Sequence, residues 1–489
     1  MLFNSFEFII FFIVVTALYF VLPYKIRWLM LLLASCTFYM FFIPRYILIL
    51  FLTILIDYAA GIAMEKYPNK KKNFLILSLI GNIGILIFFK YFNFFIDNIN
   101  SIGAFFHWNY SINLLKIILP IGLSFHTFQA MSYTIEVYRG NQKAEKHFGI
   151  YALYVMYYPQ LVAGPIERPQ NLLSQFHTNH SFNFERFLSG LRLILWGFFK
   201  KLVIADRLAV FVNNVYDDPN SYHPISVFLA CVFFSIQIYC DFSGYSDIAR
   251  GLSRIMGIEL MKNFNMPYFS KNISDFWAKW HISLSTWFKD YVYIPLGGNK
   301  GNKIKWIRNI AIVFLISGFW HGASWSFITW GALHGLLTII TIIMLPFFIK
   351  LKANKIWQAL SIAFTFYLVT MFWIFFRSPN FSEAILIINK YISAIPVFFH
   401  DFFSKPNFLW LEAITFNANF AVKGFEFIII ISSLSILFGT ELLFSYKNTR
   451  SKIENLNLGI KSSFYLFLIV FILFTGLYHS NQEFIYFQF

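Results

Sequence analysis

Apolar runs long enough to cross a lipid bilayer fill this chain from end to end, and that feature limits its fold more than any other. A spanning helix needs about 20 consecutive apolar residues, and about 13 such runs can be marked. They lie near 6–22, 28–43, 46–64, 74–96, 113–135, 148–163, 187–205, 225–242, 308–330, 331–349, 357–376, 425–444 and 463–480. Only 13% of the 489 residues are charged, about half the share of an ordinary soluble domain. That is too few to coat a water-facing surface. The residues therefore indicate one polytopic membrane domain over 1–489, not several soluble ones.

The formal net charge of +16 does not indicate a nucleic-acid partner, because the basic residues fall in short connectors between apolar runs. Lys25 and Arg27 follow the first run, Lys66, Lys70, Lys71 and Lys72 the third, and Arg139, Lys143 and Lys146 the fifth. Lys350, Lys352 and Lys355 follow the tenth, and Lys447, Arg450 and Lys452 the twelfth. Tyr91 to Leu115 carries no Lys or Arg, nor does the chain after Lys461. Under the positive-inside rule both termini are expected on the extracytoplasmic side. The first run lacks a basic leading region and a small-residue cleavage site, so it reads as a retained helix.

Two stretches break the pattern, 164–186 and 241–299, where polar and aromatic residues mix without a clean span. At membrane depth such segments are buried in protein or line a cavity. The absence of an internal repeat or of paired broken helices argues against a secondary transporter.

The chemistry-bearing residues cluster in two places. In Ser317-Gly-Phe-Trp-His-Gly-Ala-Ser-Trp-Ser326, His321 sits inside an apolar segment. On a continuous helix Ser317, His321 and Trp325 share one face. Ionisable residues within a membrane are costly and mark function by default, and a neutral imidazole takes a proton near pH 7. A packing histidine bonded to a neighbouring helix is the structural alternative. In Asp275-Phe-Trp-Ala-Lys-Trp-His-Ile-Ser-Leu-Ser285, Trp277, His281 and Ser285 would likewise share a face. The flanking lysines and aromatics also fit an interfacial helix. The segment from Asn272 to Gly298 is expected not to span but to pack near the cytoplasmic side.

Asp241 and Asp247 follow an apolar run, where they would hold a turn, cap a helix or pair with Arg250. His126 reads as a packing residue, and Pro165 and Pro169 suit a rigid loop. Cys36, Cys231 and Cys240 lie in apolar stretches and read as inert thiols. His321 and His334 are 13 residues apart, roughly 220° around a continuous helix, so no metal site is expected. There is no G-x-S-x-G elbow, no Walker A loop and no H-E-x-x-H.

Trp280 to Gly298, followed by Gly318-Phe-Trp-His-Gly-Ala-Ser-Trp325, resembles the two hallmark stretches of the membrane-bound O-acyltransferase family. The opening Met-Leu-Phe-Asn-Ser-Phe-Glu-Phe and Asp241-Phe-Ser-Gly-Tyr-Ser-Asp247 are similar to its bacterial branch. That branch includes membrane subunits of alginate and peptidoglycan O-acetyltransferases and, more distantly, the D-alanyl transfer protein of teichoic acids. Lys289, where Arg is common, and Met266 depart from the pattern.

The resemblance implies an all-α integral membrane fold, a multi-helix bundle with re-entrant segments around a central funnel. It marks His321 as essential and His281 as the earlier motif histidine. Trp277, Ser285, Ser317, Trp320 and Trp325 are candidates along the substrate path. It implies transfer of an acetyl group from cytosolic acetyl-CoA, with no bound cofactor or metal, towards an extracytoplasmic polysaccharide such as peptidoglycan or alginate. A separate extracytoplasmic O-acetyltransferase would be the partner, membrane lipids the surroundings, and the bacterial cytoplasmic membrane the location. A transporter or flippase, and a non-catalytic scaffold subunit, are the competing readings. Thioester consumption by the purified chain separates them from the enzyme.

Overall fold

The computed structural model describes residues 1–108, 110–344, 346, 354–404, 424–445, 457–478 and 484–485. The connectors with Lys350, Lys352, Lys447, Arg450 and Lys452 lie outside the described residues, as does the end of the 331–349 run. Within these limits the chain is an all-α integral membrane protein.

The helices in chain order begin with α1 (Phe6–Val21), α2 (Tyr24–Met40), α3 (Ile47–Lys66), α4 (Lys71–Leu86) and α5 (Phe92–Phe105). Next come α6 (Leu123–Arg139), α7 (Phe148–Met156), α8 (Tyr158–Leu161), α9 (Pro169–Phe176) and α10 (Phe184–Phe198). They are followed by α11 (Asp206–Asp217), α12 (Pro224–Ile255), α13 (Ile273–Trp277), α14 (Ile282–Phe288) and α15 (Lys303–His321). The last are α16 (Trp325–Met344), α17 (Lys355–Arg377), α18 (Phe381–Ser404), α19 (Gly424–Ser445) and α20 (Leu458–Thr475). Among the described residues three π-helical turns, at Ile87–Tyr91, Phe199–Ala205 and Lys289–Tyr293, continue α4, α10 and α14. Among the described residues seven helices are long and apolar enough to cross a membrane, and Phe6–Val21 and Gly459–Thr475 are shorter apolar helices.

The chain divides into two compact units. The first holds Met1–Ile194, Ser246–Lys262 and Gly322–Ser324. Its core packs α3, α4 and α6 together, with α2 on α7. Asp57 of α3 is buried there and accepts from Ser78 Oγ at 2.5 Å and from Asn82 Nδ2 at 2.8 Å, both on α4. These bonds replace the water that a buried carboxylate would otherwise lose. His126 is buried on α6.

The second unit holds Leu195–Tyr245, Asn263–His321 and Trp325–Phe489. In it α15 packs along α16. Small residues allow helices to approach closely in a membrane, and here Gly318 and Gly331 face each other. A Cβ added to Gly318 would lie 3.1 Å from Gly331 Cα.

The structure departs from the expected runs at several points. The 113–135 run is helical only from Leu123, after Gly122 at φ 75°. Before it, Asn93 and Asn100 hold the irregular backbone. Asn100 Nδ2 donates to Ile112 O and its Oδ1 accepts from Ile112 N, and Asn93 does the same with Leu115. Buried backbone groups must be paired, and these amides supply what a helix would have. The run near 225–242 continues to Ile255, because Asp241, Ser243 and Ser246 are buried inside α12 rather than following it. The boundary expected at 330/331 falls instead between His321 and Trp325. The 272–298 stretch is not a span. It breaks into α13, α14 and a π turn.

Candidate active site

His321 is the last residue of α15, and the Gly318–Gly331 contact one turn earlier fixes its height against α16. It is buried, with rings on three sides. Trp320 lies 4.9 Å away, Trp330 5.0 Å and Phe376 5.5 Å between centroids, all edge-on. Trp330 is itself fully buried and stacks on Trp373 at 5.5 Å. This cage holds the imidazole in one place and keeps bulk water from it.

His281 reaches the same cage from the motif before it. It is buried, its ring is 6.5 Å from Trp320, and Phe242 covers it at 4.7 Å. Its backbone is left-handed, at φ 43° and ψ 55°. Histidine is one of the few non-glycine residues that enter this region with any frequency. Asn263 stabilises the turn: its carbonyl accepts from Ile282 N at 2.9 Å and its Oδ1 from Ser283 N at 3.2 Å. His281 O then accepts the first helical bonds of α14, from Leu284 N and Ser285 N.

The helical faces expected from spacing are not formed. Because α13 ends at Trp277 and α14 begins at Ile282, Trp277, His281 and Ser285 do not line one helix. Trp277 Nε1 instead donates to His334 Nδ1 at 3.3 Å, and Ser285 Oγ donates to Trp280 O at 3.2 Å. Ser317 is buried one turn before His321 on α15. Trp320 lies between the two motif histidines. Trp325 starts a new helix and is 60% exposed, so it does not share the His321 face.

Spacing also misplaced His334. The 220° separation assumed one helix, but the break after His321 turns α16 back. His334 and His321 each lie 5.0 Å from Trp330. Trp277 fixes the His334 ring with Nδ1 as acceptor, which leaves the proton of the neutral imidazole on Nε2. Among the described residues no three His, Cys, Asp or Glu side chains gather as metal ligands.

A second feature was not visible in the motifs. Lys201, buried on the π turn after α10, pairs with Asp206 at 3.0 Å and Asp241 at 2.5 Å. The other Asp241 oxygen accepts from Ile485 N at 2.7 Å, and Phe484 packs on Phe242, the ring that covers His281. Asp241 is therefore neither a cap nor a partner of Arg250. Asp247 does pair with Arg250, at 3.4 Å. Phe242 places this ion network one residue from the wall of the histidine site. The remote partner, Lys201, belongs to no recognisable motif.

The cage brings two histidines to one tryptophan in buried, aromatic surroundings. A neutral imidazole there can take a proton from a hydroxyl while competing water is excluded.

Comparison with known proteins identifies the family. The model of "MBOAT, membrane-bound O-acyltransferase family" matches residues 144–381, which include both motif histidines. The chain is 36% identical over 393 residues to the peptidoglycan O-acetyltransferase of Helicobacter pylori, covering 74% of this chain and 73% of that protein. It is 37% identical over 392 residues to the probable alginate O-acetylase AlgI of Azotobacter vinelandii, covering 78% of this chain and 76% of the relative. It is 30% identical over 286 residues to the teichoic acid D-alanyltransferase of Bacillus subtilis, covering 54% and 70%. The aromatic histidine site thus lies in a multi-pass membrane enzyme, and the chain belongs to the membrane-bound O-acyltransferase family.

Proposed function

We propose that this O-acyltransferase takes an acetyl group from cytosolic acetyl-CoA and delivers it across the bacterial cytoplasmic membrane for O-acetylation of an extracytoplasmic polysaccharide, peptidoglycan or alginate-like. The observation that carries the reading is His321 at the end of α15, enclosed by Trp320, Trp330 and Phe376 with His281 across Trp320. His321 is the general base. An acceptor hydroxyl oxygen attacks the thioester carbonyl, a C–O bond forms and the C–S bond breaks. The hydroxyl proton passes to the imidazole and from there to the departing thiolate. Such a base contributes about 10²–10⁴ in rate. His281 lines the path and hydrogen-bonds donor or acceptor. A separate extracytoplasmic O-acetyltransferase receives the group.

The test uses the full chain in proteoliposomes with acetyl-CoA on the face carrying the basic connectors. Wild type should release CoA in the presence of an acceptor, and His321→Gln should not. Glutamine keeps a hydrogen bond but accepts no proton at neutral pH. Near-normal turnover by His321→Gln in correctly inserted protein would remove His321 as the base.

A further inference from the structure

A groove in the second unit runs between α16 and α17 and ends on α13. It encloses about 1070 Å³. Leu337, Ile340 and Met344 form one wall, and Leu360, Phe364 and Leu368 the other. Both wall helices are long and apolar enough to span a membrane. Ile340, Met344, Leu360 and Phe364 are exposed along the groove, Phe364 by 63%. The groove therefore opens sideways onto the region that lipid chains fill.

One end of it is polar and basic. Lys271, Asp275, Lys279 and Gln358 meet there, with Trp357 beside them. The Asp275 carboxylate is satisfied within the turn: Oδ2 accepts from Lys279 Nζ at 2.9 Å and from Lys271 N at 3.1 Å. The Lys271 ammonium donates to the neutral Gln358 Oε1 at 2.9 Å. Among the described residues that line it, two ammonium groups and one carboxylate give this end a positive balance. Lys355, which begins α17, lies at the same end. Basic ends of spans face the cytoplasm, where the leaflet is rich in anionic lipid.

The length selects the occupant. From Gln358 to Leu368 is ten residues of α17, about 15 Å at 1.5 Å per residue. That is half of the roughly 30 Å hydrocarbon core, the depth of one leaflet. A soluble thioester carries its phosphates on a polar body with no use for a lipid-facing apolar wall of that length. Basic pockets between membrane helices are a known means of holding anionic headgroups.

We propose that the α16–α17 groove binds one anionic phospholipid. Lys271 and Lys279 hold its phosphate, and an acyl chain lies along Leu337 to Met344 and Leu360 to Leu368. The site is separate from the acyl-transfer reading and does not rest on it.

The experiment places the full chain in nanodiscs containing either phosphatidylglycerol or phosphatidylcholine with a photoreactive diazirine on one acyl chain. Labelled peptides are mapped after illumination. Phosphatidylglycerol should label residues 337–344 and 358–368 about tenfold more than phosphatidylcholine, as expected for one or two lysines worth about 1 kcal/mol each. The double variant Lys271→Gln/Lys279→Gln should lower that labelling to the phosphatidylcholine level. Ser361→Trp, which fills the groove without touching the lysines, should abolish labelling with either lipid. Equal labelling by the two lipids, or labelling unchanged in the double variant, would overturn the proposal. So would displacement of the lipid by millimolar acetyl-CoA, because the groove would then belong to a soluble donor. Size-exclusion elution and lipid-independent peptide coverage verify that each variant remains folded.

Discussion

Replacing Gly331 by alanine tests whether the α15–α16 crossing sets the position of His321, the proposed base. A Cβ at Gly331 would press into the Phe314 carbonyl oxygen and lie 3.0 Å from Gly318 Cα. Carbon atoms settle at about 3.5–4.0 Å, so the helices must separate by about 0.5–1 Å. Neither obstacle is a flexible side-chain end, so the backbone must give. His321 lies less than one turn beyond Gly318, at the end of the displaced helix. A shift of that size in a positioning element costs on the order of 100-fold in rate, and overpacking costs about 1–3 kcal/mol of stability. The assay is acetyl transferred per membrane-inserted molecule, with a thermal unfolding scan in detergent. Gly439→Ala is the control: it adds the same methyl in a helix with no atom within 4 Å of the new Cβ, and turnover should stay within about twofold, the small effect of an uncrowded surface change. Near wild-type turnover in Gly331→Ala would show that the crossing does not fix the histidine, and the positional argument would fall.

His281→Ala should reduce turnover less than His321→Ala, measured as CoA release, because its proposed role is positioning. Lys201→Met should destabilise the protein by about 3–5 kcal/mol, since it removes the buried cation that pairs with both Asp206 and Asp241. Lys201→Met/Asp206→Asn/Asp241→Asn should recover much of that loss in the same unfolding scan, and no recovery would mean the pairing is not the source. Reporter fusions at both termini should be active only on the extracytoplasmic side. A cytoplasmic C-terminal reporter would contradict the orientation taken from the basic connectors.

His321 could be found in the sequence because an imidazole within a long apolar run is costly and therefore conspicuous. The helix break beside it could not. Gly322-Ala-Ser324 has no proline and would not by itself end a helix, so spacing assigned Ser317, His321 and Trp325 to one face. The same oversight separated His334 from the site. Asp241 was placed after its helix because a hydropathy count stops at a carboxylate. Its counter-ion, Lys201, lies forty residues away and only the folded chain joins them. The left-handed turn at His281 depends on Asn263, and nothing local announces it. Periodicity thus located the apolar elements well, but non-local pairing decided where they begin and end.

The π-helical turn at Phe199–Ala205 makes the length of the chain there part of the charge arrangement. Asp206 donates its N–H to Lys201 O, five residues back rather than four. The widened turn also lets two adjacent lysines be buried, Lys200 over the rings of Trp196 and Tyr239 and Lys201 between its two carboxylates. Deleting one residue from this segment would restore an ordinary α-helix and swing α11 about 100° relative to Trp196. Asp206 would leave Lys201, and Arg207 would leave Glu426 and the Thr475 carbonyl. An insertion or deletion in this short, buried piece of the chain should therefore cost more than the Lys201 substitution alone, and any engineered tag or hinge belongs elsewhere.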